Sequence, residues 1–81
     1  MGIELTLLGR DYCHLCHDME EALRPLATEL SIVVTVVDVD TNPELEARYD
    51  ELVPVLLHGE QELCRYILDE PKVREYLVGI R

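Results

Sequence analysis

Two apolar segments on either side of a helical pattern constrain the fold of this chain most. Residues 3–8 form an apolar run that ends at Gly9, and residues 32–37 are almost all β-branched. Both segments are typical of strands. Between them, apolar residues recur at the spacing of one helix face: Leu15, Met19, Ala22, Leu23, Leu26, Ala27 and Leu30. This order predicts a right-handed βαβ unit with parallel strands.

Two details of this unit can be predicted further. The segment 32–37 is apolar without alternation, so we expect the second strand to be covered on both faces of the sheet. Pro25 interrupts the helical pattern and lacks the N–H that would bond to the Glu21 carbonyl. We therefore expect a kink in the first helix near Glu21.

The second half of the chain predicts a helix, a hairpin and a last helix. Asn42 is the expected cap of a short helix that begins at Pro43 and runs to about residue 50. Residues 53–57 and 62–66 are predicted strands around a turn at 58–61, which includes His58. Asp69 is expected to cap a final helix that stops at Gly79. Residues 1–81 have room for this single domain only.

A Cys-x-x-Cys motif, Cys13-His14-Leu15-Cys16, lies where the first strand meets the first helix. The first N–H groups of a helix lack partners and its dipole is positive there, so a thiolate at Cys13 would be stabilised. Cys16 lies nearly one turn later on the same side and can attack a mixed disulfide formed at Cys13. The motif predicts a redox pair, with Cys13 as nucleophile and Cys16 as a partly buried resolving thiol.

Neighbouring ionisable residues are candidate modulators of the cysteine pKa values. A protonated His14 would favour the thiolate and Asp11 would oppose it, so the net sign stays open. His17 is expected on the helix surface, close enough to affect Cys16. Asp38 ends the second strand and either accepts a proton from Cys16 or caps the following loop, and we favour the cap.

Charge and composition narrow the setting. The chain carries 7 Lys or Arg and 17 Asp or Glu, a net charge of -10, which argues against nucleic acid or an anionic membrane as partner. It shows no signal-peptide pattern and no apolar stretch long enough for a membrane helix, so we expect a cytoplasmic protein, and a monomer. Cysteines in a reducing compartment are more often catalytic or metal-binding than structural.

The βαβαββα order, with Cys-x-x-Cys at the first helix and Pro54 opening the third strand, resembles the thioredoxin fold. The length resembles that of glutaredoxins. This resemblance implies an α/β fold with a four-stranded mixed sheet flanked by helices. It also implies a cis Val53–Pro54 peptide beside Cys13. There the backbone of Val53 would pair with an extended peptide or with glutathione.

Glutaredoxin features are matched only in part. Arg10 stands where glutaredoxins often carry a Lys that meets a glutathione carboxylate. Leu52 replaces the usual Thr, and Cys64-Arg65 corresponds approximately to a Gly-Gly pair that gives glutathione room. The resemblance implies disulfide exchange with a protein disulfide or thiol, an unidentified reductant and no cofactor. The departures from the glutaredoxin pattern imply that glutathione is used weakly or not at all. The expected substrate-binding residues are Arg10, Tyr12, Val53 and Pro54.

Other functions remain open at this point. The motif also spells C-x-x-C-H, the attachment pattern of haem, although no other feature supports haem. A zinc site is a second alternative, and its candidate ligands would be Cys13, Cys16, His17, His58 and Cys64. We expect no metal, and Cys64 is more simply a small core residue. A third alternative is a regulatory or adaptor domain that keeps the fold without turnover.

Overall fold

The computed structural model describes residues 3–80, which form four strands and three α-helices. The elements are β1 (Ile3–Gly9), α1 (His14–Leu30), β2 (Ile32–Asp38), α2 (Pro43–Tyr49), β3 (Val55–His58), β4 (Gln61–Arg65) and α3 (Glu70–Ile80), with a 3₁₀ turn at Val39–Thr41 before α2. The predicted βαβαββα order is confirmed.

The four strands form one mixed sheet in the order β2-β1-β3-β4. β1 and β2 are parallel, with Ile3 opposite Ile32 and Gly9 opposite Asp38. β3 runs antiparallel to both β1 and β4. The predicted α/β class with a four-stranded mixed sheet is therefore confirmed. Of its two central strands, β1 ends beside the Cys-x-x-Cys motif and β3 begins directly after the proline turn.

The prediction that β2 is covered on both faces is wrong. β2 is an outer strand of the sheet, and Val33 and Val36 are 53% and 51% exposed. A β-branched run suits the pleated surface of an edge strand as well as that of a central one. The apolar pattern alone could not distinguish these positions.

Capping residues account for the helix starts. The Asn42 side chain accepts hydrogen bonds from the N–H groups of Glu44 and Leu45, as expected for the cap of α2. α1 continues through Pro25 as one helix of 17 residues. α3 begins after Asp69, whose side chain accepts from the Lys72 N–H.

Two expected features of the second half are different in the structure. α3 includes Gly79 and reaches Ile80, because Gly79 does not adopt the positive φ that ends many helices. The hairpin turn is also shorter than predicted, since His58 pairs with Gln61 as part of the strands. Gly59 opens the remaining turn with a φ of 62°. His58 thus belongs to β3 rather than to the turn.

Apolar side chains form two clusters. The larger lies between the sheet and helices α1 and α3; its buried residues are Leu5, Leu7, Met19, Leu23, Leu26, Ile32, Leu56, Leu63, Cys64, Val73 and Leu77. The smaller comprises Leu8, Cys16, Val39, Val53, Val55 and Leu57, with Leu45 and Tyr49 of α2 packed against it. Cys16 is thus held in place by apolar packing. No helix within residues 3–80 has the length and apolar character required to cross a bilayer.

Candidate active site

The structure joins Cys13 and Cys16 in a disulfide, with their Cα atoms 5.2 Å apart. Cys13 is the residue that caps α1: its backbone is extended, and its Sγ accepts a hydrogen bond of 3.2 Å from the Cys16 N–H. This N–H has no backbone partner inside the helix, and the Cys13 sulfur takes the place of that partner. The same contact would stabilise negative charge on Cys13 after reduction.

The two sulfurs differ in accessibility. The Cys16 side chain is 6% exposed and belongs to the second apolar cluster. Cys13 is only half-buried and packs at the margin of that cluster. An incoming molecule therefore reaches Cys13 first, in agreement with its predicted role as nucleophile. Cys16 is more buried than the partly buried thiol that we expected.

Gly9 is a site residue that the sequence analysis treated only as the end of a strand. A Cβ placed on Gly9 would lie 3.1 Å from the Cys16 Cβ and 3.2 Å from its Sγ. The absence of a side chain thus allows α1 to start directly above the end of β1. A glycine four residues before the motif was the available signal.

The Val53–Pro54 turn lies beside the cysteines. The peptide bond between these residues is cis, the isomer that the resemblance implies, and both side chains are buried. Val53 shares the second cluster with Cys16. Its backbone N–H and C=O have no hydrogen-bond partner among residues 3–80. The Pro54 carbonyl accepts a hydrogen bond of 2.8 Å from the Tyr66 N–H.

Arg10 is held within the protein by two ion pairs. Its Nε lies 3.1 Å from an Asp40 carboxylate oxygen and its Nη2 lies 2.7 Å from one of Asp50, and its side chain is 18% exposed. The hydrogen bond to Asp50 raises the pKa of the Arg10 guanidinium. Tyr12 is 80% exposed, and its hydroxyl donates to Asp40 at 3.4 Å. Arg10 thus joins the end of β1 to the region around α2.

The candidate pKa modulators surround the motif on its exposed side. His17 Nε2 donates to the Asp11 carbonyl oxygen at 2.7 Å, which anchors the loop before Cys13. His14, the first residue of α1, is exposed and lines a shallow depression with Tyr12 and His17. Asp38 accepts from the Asp40 N–H at 2.9 Å and so caps the 3₁₀ turn, the favoured alternative.

The residues considered for zinc are not brought together. Within residues 3–80, no group of three or more His, Cys, Asp or Glu side chains is arranged to hold a metal ion. His58 Nδ1 shares a hydrogen bond of 2.8 Å with the Tyr76 hydroxyl. Cys64 is a free thiol in the larger core cluster, 8% exposed, and burial raises its pKa.

This fold and this site define a class, the thioredoxin-fold proteins with a Cys-x-x-Cys pair at the start of the first helix. The structure of thioredoxin 1 from Thermosipho africanus is similar in fold, with a TM-score of 0.65 at 22% identity over 98% of this chain and 100% of that one. At this identity the likeness concerns the fold alone.

Within that class, residues 4–78 match the glutaredoxin-like domain (DUF836), and the chain belongs to this family. Protein Ne2328 from Nitrosomonas europaea is 35% identical, with a TM-score of 0.83 over 94% of this chain and 92% of that chain. Protein XcR50 from X. campestris is also 35% identical, with a TM-score of 0.72 over 93% of this chain and 96% of that one. The uncharacterized protein Rv0508 of Mycobacterium tuberculosis is 32% identical over 76 residues, covering 88% of this chain and 78% of the relative. Fold and cysteine pair together support a thiol redox function.

Proposed function

We propose that the protein is a thiol-disulfide oxidoreductase that exchanges its Cys13–Cys16 pair with protein substrates and uses glutathione weakly or not at all. The observation that carries this proposal is the difference between the two sulfurs. Cys13 is accessible and accepts a hydrogen bond at the start of α1, whereas Cys16 lies buried within bonding distance of it. One thiol is available for attack, and the other is held ready for resolution.

The exchange proceeds in two displacements. The Cys13 thiolate attacks one sulfur of the substrate disulfide, which forms a mixed disulfide and releases the first substrate thiolate. The Cys16 thiolate then attacks the Cys13 sulfur, so the mixed disulfide breaks and the second substrate thiolate leaves. Two electrons pass from the protein to the substrate, and both released thiolates take protons from solvent. A dithiol reductant, not yet identified, returns the pair to its reduced form.

The unpaired backbone of Val53 supports an extended peptide as substrate. Its N–H and C=O lack partners among the described residues and lie beside the redox pair. An extended chain that pairs with them adds a short strand, a mode of recognition that tolerates many side chains. Pro54 shapes this turn, and Tyr12, which precedes Cys13 in the chain and is largely exposed, offers a further flat surface.

The environment of Arg10 supports weak use of glutathione. Glutathione is anionic, and Arg10 is the residue that would meet one of its carboxylates. In this protein Asp40 and Asp50 already neutralise the guanidinium. A glutathione carboxylate would have to displace one of them inside a field set by a net charge of -10. We further propose that the protein acts as a monomer and that its substrates are proteins of the cytoplasm, a reducing compartment.

A trapping experiment tests the proposal. Cys16→Ser removes the resolving thiol, so we expect this variant to accumulate mixed disulfides through Cys13. The matched variant Cys13→Ser should accumulate few, because Cys16 is buried. Insulin reduction and glutathione-coupled turnover are measured in parallel. A wild-type protein that reduces no disulfide, while Cys13→Ser still binds the same partners, would favour the adaptor alternative instead.

A further inference from the structure

We propose that an apolar groove beside the redox pair selects protein substrates in which a large apolar residue and a Lys or Arg lie next to the reacting cysteine. This inference rests on the proposed function and specifies its substrate class. The groove, here called the Leu15 groove, lies between the start of α1 and the segment that joins β4 to α3. Its apolar lining includes Leu15, Met19, Tyr66, Ile67 and Leu68.

The Leu15 groove adjoins both parts of the active site through Leu15 and Tyr66. Leu15 stands between the two cysteines in sequence and contributes to the groove wall. Tyr66 forms the opposite side, and its N–H donates to the Pro54 carbonyl oxygen at 2.8 Å. A peptide that pairs with Val53 and presents its sulfur to Cys13 therefore has the groove next to its neighbouring side chains.

The groove exposes apolar surface that the fold itself does not use. Ile67 is 72% exposed, Leu15 is 43% exposed and Tyr66 is 40% exposed. The groove volume is about 580 Å³, enough for a large side chain. Tyr66 has a φ of 70°, in the left-handed region that residues other than glycine rarely adopt. Such strain in a native structure is typical of binding segments.

The polar residues of the groove are acidic. Asp18 lies on the α1 side, and Glu70 lies on the α3 side. Glu70 is partly paired with Arg74 at 3.5 Å, whereas Asp18 forms no ion pair with any residue between 3 and 80. A cationic residue next to the apolar side chain would complement this charge, and an acidic residue would be repelled. The charge distribution thus favours a basic substrate segment over a neutral or acidic one.

The test measures how fast the fully reduced protein reacts with four short peptides. Each peptide carries one cysteine in a mixed disulfide with 2-mercaptoethanol, and the pair Leu-Arg, Leu-Glu, Ser-Arg or Ser-Glu is placed symmetrically on both sides of that cysteine. Reduction yields the free peptide thiol, free 2-mercaptoethanol and the Cys13–Cys16 disulfide. Hydroxyethyl disulfide, small and uncharged, reports the basal reactivity of the pair. We expect the Leu-Arg peptide to react about tenfold faster than Leu-Glu at low salt, and about fivefold faster than Ser-Arg.

Paired variants assign each preference to the groove. Asp18→Asn combined with Glu70→Gln should reduce the preference for Arg over Glu to about twofold, while hydroxyethyl disulfide reacts as before. The control Glu60→Gln combined with Glu75→Gln removes the same charge from two exposed positions outside the groove and should keep the full preference. Ile67→Ala should weaken the preference for Leu over Ser, whereas Val78→Ala, equally exposed on α3, should not.

The outcomes separate this inference from the function on which it rests. If hydroxyethyl disulfide is reduced and all four peptides react at one rate, the Leu15 groove selects nothing and the inference is wrong, although the oxidoreductase function stands. Equal loss of preference in the groove variants and in their controls would also overturn it. If neither hydroxyethyl disulfide nor any peptide is reduced, the proposed function fails, and the inference fails with it.

Discussion

Gly9 and Cys16 are packed so closely that a methyl group on Gly9 would lie 3.1 Å from the Cys16 Cβ and 3.2 Å from its Sγ. Both separations are shorter than ordinary van der Waals contacts between carbon or sulfur atoms. The end of β1 therefore determines how near the first turn of α1, and with it the disulfide, can approach the sheet.

We predict that Gly9→Ala destabilises the protein and slows disulfide exchange. The added methyl group must displace Cys16, and overpacking of this kind typically costs about 1–3 kcal/mol. Urea unfolding gives the free energy, and reduction of hydroxyethyl disulfide gives the exchange rate. Gly79→Ala is the matched control: nothing lies within 4 Å of its Cβ position inside α3, so a gain of roughly 0.5–1 kcal/mol is expected. If Gly9→Ala left the free energy of unfolding unchanged, Gly9 and Cys16 would not be packed as closely as described.

Cys64 should be unreactive in the folded protein. Its side chain is 8% exposed in the core, and burial raises the pKa of its thiol, so little thiolate is present near neutral pH. After reduction, we expect iodoacetamide to modify Cys13 first and to reach Cys64 only when urea unfolds the chain. Mass spectrometry of the alkylated peptides measures this order. Modification of Cys64 at a rate close to that of Cys13 would instead indicate a third redox thiol.

The His58–Tyr76 hydrogen bond should contribute measurably to stability. It is partly buried, measures 2.8 Å and joins the end of β3 to α3. We predict that Tyr76→Phe lowers the free energy of unfolding by about 1 kcal/mol, the usual net value of such a bond. Tyr49→Phe is the control, because the Tyr49 hydroxyl forms no hydrogen bond within residues 3–80. Equal losses in both variants would show that the hydrogen bond is not the cause.

Because of the Glu62–Arg65 ion pair, the stability of the protein should depend on pH in the acidic range. Two hydrogen bonds of 2.7 Å from Arg65 lower the pKa of the Glu62 carboxyl. Because the folded-state value lies below the unfolded one, the pair stabilises the protein above the unfolded value, about 4.3. That contribution is lost as the pH falls through the folded-state value.

Comparison of the wild type with Glu62→Gln in urea tests this sign. The variant should be less stable at neutral pH, and the difference should disappear when Glu62 of the wild type becomes protonated in acid. Glu60→Gln, in the adjacent hairpin turn, controls for the loss of one negative charge. A difference that grows on acidification would show that the pair does not act as described.

Local patterns in the sequence were sufficient for the element order and for the closeness of Cys13 and Cys16. Apolar periodicity separated helix from strand. Asn42 was predicted to cap the start of α2, and the structure contains this cap. The position of Cys13 at a helix start also followed from local signals. These features depend on residues within one or two turns of each other, and such spacings are visible in the chain itself.

Features that depend on distant contacts were not predictable. The partners of Arg10 are 30 and 40 residues away, and no local pattern links them. The outer position of β2 depends on the order of the strands in the sheet, and a β-branched run in the sequence does not indicate that order. Tyr66 adopts a positive φ without the glycine or asparagine that usually signals it.

The outer position of β2 has a consequence for how the protein behaves in concentrated solution. An uncovered strand with Val33 and Val36 at its surface is a template on which a second chain can assemble. Mutual repulsion between molecules of net charge -10 opposes that assembly. Acidification that neutralises the carboxylates removes this protection, so the solution should then become turbid through pairing of molecules at this strand.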